Sequence, residues 1–325
     1  MGGGAAPPAA SSVPRPVDAS AITTASVRVT PATAAPQVDG WREAARHLDW
    51  TLATTLLLKL PAAEREKSEL RLALGVVAVH AGEHKTAVAA LTGLETKIPM
   101  LRQEIRAWYA QAAAVAGPFE AAAAILLESP KVADSVLAAK ALMRAKNLKK
   151  ARAIIDKAIK RAQRTKRVRG EAGARWVRAQ IAVASNQPTL AAAEWLWLVK
   201  THPGHDNVRD ALAKLDAGKH AVALDLRLAA LSESATPGNL DGTLTTIDAL
   251  AKKHPTEKAA TLLARAKAMY GARAYKRAVA AYDAASPFAA ALAPELRYYA
   301  ARAAARSGDE VGAIRRFHSI QACHP

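Results

Sequence analysis

Three times in this 325-residue chain a helix-compatible run stops at His-Pro: His202-Pro203, His254-Pro255 and His324-Pro325. Twelve residues before each proline stands a small residue, Ala191, Thr243 or Ala313, and four beyond it a large apolar one, Trp195, Ile247 or Phe317. The same register places small residues at Ala87, Ala122, Ala151 and Ala278, so that successive anchors lie 35, 29, 40, 52, 35 and 35 residues apart. A recurrence of that length is the mark of stacked supersecondary units, each too small to bury its own apolar face and completed by its neighbours. It constrains shape before chemistry, since stacked hairpins serve many unrelated ends.

Composition narrows the shape further. The chain is 51% hydrophobic but only 5% aromatic, so its interior is built mostly from Ala and Leu, which favours close helix-on-helix packing. Helix formers dominate and alternating β-branched runs are scarce, which predicts an all-α protein. Residues 1–39 are rich in Ala, Pro, Ser and Thr, nearly uncharged and without periodicity, and are expected to be a disordered leader. Helical pattern starts at Gly40-Trp41 and continues through residue 325 as a solenoid of about seven hairpin units. An extra pair of short helices near 206–231, split near Gly218, would fill the 52-residue step. Turns are expected at Ala81-Gly82-Glu83, Ala116-Gly117-Pro118, Lys146-Asn147-Leu148, Ser185-Asn186-Gln187-Pro188, Gly271-Ala272-Arg273 and Ser307-Gly308-Asp309, with Gly or Asn taking the left-handed conformation that follows a helix.

Several classes of chemistry lack their residues. Cys323 stands alone, so no internal disulfide can form, and it would join a metal site only if His318 and His324 converged on it. His80 and His84 have zinc spacing, but Gly82 between them places a turn there; His202 and His205 flank Pro203-Gly204 and read as loop residues. No phosphate loop and no dinucleotide fingerprint is present, and no cofactor is expected. The longest apolar stretch, Leu52 to Leu60, carries Lys59 and is too short for a bilayer. The start shows neither the basic nor the apolar region of an export signal. The formal charge is +18, and residues 140–178 hold fifteen Lys or Arg against Asp156 and Glu171, which makes an anionic polymer or an acidic protein segment the expected partner. Trp176 is the only aromatic in that window, so nucleic acid is the weaker candidate.

The units resemble tetratricopeptide repeats, which place a small residue in each helix, a large apolar residue one turn past the second, and proline near the end of a unit of about 34 residues. Gly75, Ala87, Leu91 and Pro99 follow that pattern, as do Ala179, Ala191, Trp195 and Pro203, and Ala301, Ala313, Phe317 and Pro325. The likeness implies a right-handed superhelix whose concave groove is lined from the first helix of each hairpin. Carried over by register, the lining would be Lys140, Arg144, Trp176, Gln180, Lys267, Tyr270, Tyr298, Arg302 and Arg306. The last three, four apart, would form one stripe. Arginines beside tyrosines suit carboxylates or phosphates.

The final unit, Leu296-Arg297-Tyr298-Tyr299-Ala300-Ala301 through Ser307-Gly308-Asp309 to Phe317, is also similar to the superhelical amino-terminal region of soluble lytic murein transglycosylases. That resemblance implies a periplasmic, peptidoglycan-associated portion of an enzyme; without it the chain reads as cytoplasmic. The family's catalytic Glu-Ser motif is not reproduced: Pro130 follows Glu128-Ser129 and Ala235 follows Glu233-Ser234. The expected role is therefore a non-catalytic scaffold associated with murein, with a protein-binding adaptor in envelope assembly as the alternative and a basic RNA-binding repeat as a second alternative. Ile314, Phe317 and Ile320 would have nothing stacked over them, which predicts self-association through this last repeat.

Overall fold

The computed structural model describes residues 40–323, apart from the Cys323 side chain; the expected leader at 1–39 and the third His-Pro pair lie outside them. Among the described residues the chain is all helix and turn, with no strand. It is an all-α solenoid of stacked antiparallel helix hairpins. The first half comprises α1 (Gly40–Arg46), α2 (Trp50–Leu58), α3 (Ala62–Arg65), α4 (Ser68–Ala81), α5 (His84–Leu91), α6 (Leu94–Lys97), α7 (Arg102–Ala116), α8 (Phe119–Leu127), α9 (Val132–Arg144) and α10 (Leu148–Arg164). Then follow α11 (Val168–Ala184), α12 (Pro188–Thr201), α13 (Val208–Ala217), α14 (Leu224–Glu233), α15 (Leu240–Lys253), α16 (Lys258–Gly271), α17 (Tyr275–Ala285), α18 (Ala293–Arg306) and α19 (Glu310–Cys323). Each second helix packs against the next unit's first helix, α5 on α7, α8 on α9 and α10 on α11, while the first helices α4, α7, α9 and α11 touch in series. That double contact is what gives a solenoid one continuous core without a growing centre.

The anchors show why. Ala87, Ala122, Ala151, Ala191, Thr243, Ala278 and Ala313 are all buried, and so are Leu91, Leu126, Ile155, Trp195, Ile247 and Tyr282 four residues beyond six of them. Gly75 marks the closest approach: a Cβ there would lie 2.4 Å from the Leu91 side chain, inside van der Waals contact. Five of the hairpin turns share one hydrogen-bond pattern, in which the residue after the left-handed position donates its N–H to a carbonyl five residues back; the α7/α8 turn departs from it, because Pro118 has no N–H and Gly117 donates to the Ala113 carbonyl instead (2.8 Å). Glu83 to Ala78 (2.9 Å), Asn147 to Leu142 (2.8 Å), Gln187 to Ala182 (2.8 Å), Ala274 to Met269 (2.9 Å) and Asp309 to Ala304 (3.0 Å) all conform. Gly82, Asn186 and Gly308 hold the left-handed conformation as expected. At the other two turns Lys146 (φ 60°) and Arg273 (φ 60°) hold it instead of Asn147 and Gly271. Asn147 is needed one place later, where its side chain accepts from the Lys150 N–H and caps α10. Gly271 is simply the last residue of α16.

Regularity fails once. In the 52-residue step, α13 packs on α12 and α14 packs on α16, yet α13 and α14 make little contact with each other and α14 makes little with α15. The two largest apolar clusters part at the same place, one running from Ala110 to Leu215 with Ala230 and the other from Leu228 to Ala303, while three smaller clusters lie among α1 to α7. Polar groups bridge the seam. Arg209 on α13 donates to Ser234 Oγ (2.8 Å), to the Leu231 carbonyl (3.3 Å) and to Thr243 Oγ1 (2.5 Å), and Arg227 makes a two-pronged pair with Asp216 (2.8 and 2.7 Å). Thr243 replaces the usual alanine at its anchor, and this bond gives its hydroxyl a partner; the hydroxyl itself donates to the Asn239 carbonyl (2.7 Å).

Candidate binding surface

The nine expected groove residues fall into two groups with different fates. On α9 and α11 the expectation fails for Trp176, which is buried at 7% exposure within the core. Ala172 and Ala179, one turn to either side on the same stripe, are also buried, so that stripe faces the core and the wide indole fills the space the alanines leave. Arg144 is exposed but partly engaged: its Nη1 donates to the Ala114 carbonyl (2.8 Å) near the end of α7, which satisfies an orphan acceptor of the neighbouring first helix. Lys140 and Gln180 stay half-exposed, with no aromatic brought up beside them.

Much of the basic window is consumed in the same way. Glu194 on α12, buried at 5% exposure, accepts from Arg175 (3.2 Å) and Arg178 (2.5 Å) of α11. Arg175 also donates to Glu171 (2.9 Å) and its guanidinium lies over the Trp197 ring at 4.0 Å. Asp156 joins Arg152 (3.0 Å) to Arg178 (3.2 Å), and Arg161 donates to the Pro130 carbonyl (2.8 Å). The remaining cations, Lys146, Lys149, Lys150, Lys157, Lys160, Arg164, Lys166, Arg167 and Arg169, are exposed along α10, the turns at its two ends and the start of α11.

On α16 to α18 the expected residues do converge. Arg306 lies over two rings, Tyr270 at 5.3 Å and Tyr275 at 5.7 Å, and reaches the Tyr275 hydroxyl at 3.4 Å. Arg302 lies 5.6 Å from the ring of Tyr298, which is itself 44% exposed. Lys267, one turn before Tyr270 on α16, is exposed. Three further tyrosines complete the cluster. Tyr299 meets Tyr270 edge-on at 6.1 Å and stacks on Tyr282 at 5.8 Å, and Tyr270 meets Tyr275 at 5.5 Å. Tyr298 also touches Tyr299 and Phe317 of α19, which ties the last hairpin to the cluster. Burial pushes the Tyr282 phenol well above the ordinary tyrosine range, so it stays neutral and serves as floor. The Tyr270 hydroxyl is buried without a hydrogen-bond partner beneath Arg306. Tyr282 was legible all along as the large residue four beyond Ala278; Tyr275 and Tyr299 had no register signal.

Both arginines keep donors that meet no carboxylate among the described residues. A guanidinium braced on aromatic faces with open N–H groups is a ready receptor for a carboxylate or phosphate oxygen. Elsewhere, a cavity of about 540 Å³ surrounds the turn at His202 and His205, lined also by Arg169, Asp206 and Glu233. Burial holds both imidazoles below the usual histidine range, and His202 meets the Trp197 ring edge-on at 5.0 Å. His80 stacks on Trp50 at 4.7 Å, and no cluster of three metal-ligating side chains exists among the described residues. No described helix is long and apolar enough to cross a membrane.

No protein-family model matches the sequence, and no curated protein does. Among solved structures the chain is similar to one from the crystal structure of the APC/C hetero-tetramer Cut9-Hcn1, at 14% identity and a TM-score of 0.30 across 86% of this chain. The chain spans 64% of that chain's length. A superposition of that quality assigns neither partner nor site residue, and the fold stands on the packing and register described above.

Proposed function

We propose that this chain is a non-catalytic helical-repeat scaffold that captures an acidic segment of a partner protein on the α16–α18 face. The observation that carries this reading is the pair of guanidiniums, Arg302 and Arg306, held on tyrosine rings with no carboxylate to neutralise them. The rings supply flat apolar area at small entropic cost and the arginines supply the charge-assisted hydrogen bonds. Fluorescence anisotropy with a Glu- and Tyr-containing peptide, its Gln counterpart and its Lys counterpart tests it. Binding of the acidic peptide alone, weakened about tenfold or more in Arg302→Ala/Arg306→Ala, is the expected result. Equal binding of the Gln peptide, or no effect of the double variant, would reject it.

A second reading has one observation in its favour, the exposed basic ridge of α10 and its following turn. Such a ridge favours an anionic polymer, and murein is the polymer that the transglycosylase likeness, with a periplasmic location, would supply. RNA is less suited, because Trp176 is buried and the ridge offers no ring for a base to stack on. Retention on purified sacculi that is abolished by Lys157→Glu/Lys160→Glu/Arg164→Glu, and absent for RNA across a salt series, would favour the murein reading over the protein partner.

A further inference from the structure

The irregular step has left a second groove, which shares no lining residue with the tyrosine cluster. Residues of α13 (Arg209, Leu212, Ala213) form one wall, residues of α15 (Ala249, Leu250, Lys253) the other, and Leu231 of α14 the floor, around a cavity of about 410 Å³. A regular hairpin would close such a space, but here α13 turns to α12 and α14 turns to α16, so the two walls stand apart. Two guanidiniums border it, and they differ. Arg227 is matched by the Asp216 carboxylate through two short bonds. Arg209 has only neutral oxygens on Nε and Nη2, and among the described residues no carboxylate pairs with it. Burial alone depresses its affinity for the proton, with no acidic group acting in the opposite direction. Removing a cation from water without an anion is costly, and the deficit is relieved by any ligand that brings a carboxylate into the groove.

We infer that the α13–α15 groove docks an amphipathic helix of a partner protein, which seats leucine-type side chains on Leu212, Leu231 and Leu250 and directs a carboxylate to Arg209. A cleft between two helices with leucines in its lining accepts a partner helix through side chains one turn apart. The excess positive charge of Arg209 and Lys253 over Asp216 selects an acidic helix over a basic one.

The test uses the full chain and two labelled helical peptides with the same Leu stripe, one carrying Glu on its flanks and the other Gln. The Leu-Glu peptide is expected to bind, and Arg209→Gln to weaken it about tenfold or more. Because Arg209 also ties α13 to α14 and α15, Ala213→Trp and Ala249→Trp provide the second arm: both positions are exposed and line the groove, so an indole there fills it without entering the core. Each tryptophan variant is expected to abolish binding with the thermal transition unchanged, while Arg302→Ala/Arg306→Ala leaves it intact. Failure of the Leu-Glu peptide to bind overturns the inference, as does equal binding of the Gln peptide or binding that survives both tryptophans. Binding that disappears only in the Arg302→Ala/Arg306→Ala variant overturns it too and assigns the peptide to the tyrosine face.

Discussion

Two groups of arginines in this solenoid serve opposite purposes. Around α10 to α12 the sequence carries its highest density of positive charge, yet Arg152, Arg175 and Arg178 converge on Asp156, Glu171 and Glu194 and hold neighbouring helices together. Around α16 to α18 the charge is sparser, and Arg302 and Arg306 rest on tyrosines with their remaining donors unengaged by acids. Density of charge along a chain therefore does not locate a binding surface. What matters is whether the fold supplies each cation with an anion, and a carboxylate such as Glu194, outside the basic window in sequence, decides that only in three dimensions.

The largest expected effect would break this contrast if it failed. Replacing Glu194 by Ala leaves two guanidiniums, each with only about a sixth of its side chain exposed at 15% and 18%, facing one another without their shared anion. Loss of one partner from a buried ionic cluster costs about 3–5 kcal/mol, a large share of a typical domain's stability. Urea denaturation should register it as a lower midpoint. A loss below about 1 kcal/mol would mean that Arg175 and Arg178 swing out to water and join the exposed cations of α10 rather than hold α11 to α12.

Next in size is Gly75→Ala in the α4/α5 hairpin, where Arg71 of α4 donates to the Ala90 (3.1 Å) and Thr92 (2.8 Å) carbonyls but no arginine–carboxylate cluster joins the two helices. The added methyl would sit 2.4 Å from Leu91, and overpacking of that kind costs about 1–3 kcal/mol. Thermal unfolding of this variant, set beside Glu194→Ala, compares steric with ionic cohesion in one chain.

Gly75 and Leu91 also show how much could be seen in advance. Small and large anchors recur because two backbones can press together only where one side chain is nearly absent and its neighbour fills the gap, and this one-dimensional rule predicted the buried set from Ala87 to Ala313. The groove was less visible. Trp176 matches the register of an inward-facing residue, but what a stripe faces depends on the residues one turn away, and Ala172 and Ala179 mark it as core. Tyr275 and Tyr282 lie two turns apart on α17 and Tyr299 lies on α18, and they meet Tyr270 of α16 only through the hairpin stacking, so the repeat register does not announce the cluster. The divided core at α13 and α14 was visible only as a step of the wrong length; which helix packs on which depends on Arg209 finding Thr243, a contact across 34 residues.

Acid should separate the two regions with a smaller effect. His202 and His205 are held below the usual histidine pKa by burial, so the folded state takes up protons less readily than the unfolded chain. Their contribution is fully present above the unfolded value of about 6.5 and is lost as the pH falls through and below it. Hydrogen exchange followed from neutral pH to about pH 5 should therefore show the end of α12 and the following loop opening before α16 to α18. Uniform protection across both regions would mean that the two imidazoles are solvated in the folded protein.

The smallest effect is also the one that fixes the meaning of the comparison. Arg306 is exposed, and its contacts are two tyrosine rings and one long bond to a hydroxyl. Cation–aromatic contacts at exposed sites are worth about 0.5–1 kcal/mol, so Arg306→Ala should lower stability by no more than that while it removes the donors a carboxylate would use. The opposite pattern is expected at Arg178, whose loss would strip Glu194 and Asp156 of a partner and unsettle the helix packing without touching peptide binding. A cycle of both single variants and the double, followed by denaturation and by anisotropy with the acidic peptide, should give additive effects because each variant acts on a different readout. If Arg306→Ala proved as destabilising as Arg178→Ala, both arginines would be structural ties and the tyrosine face would have no claim to a ligand.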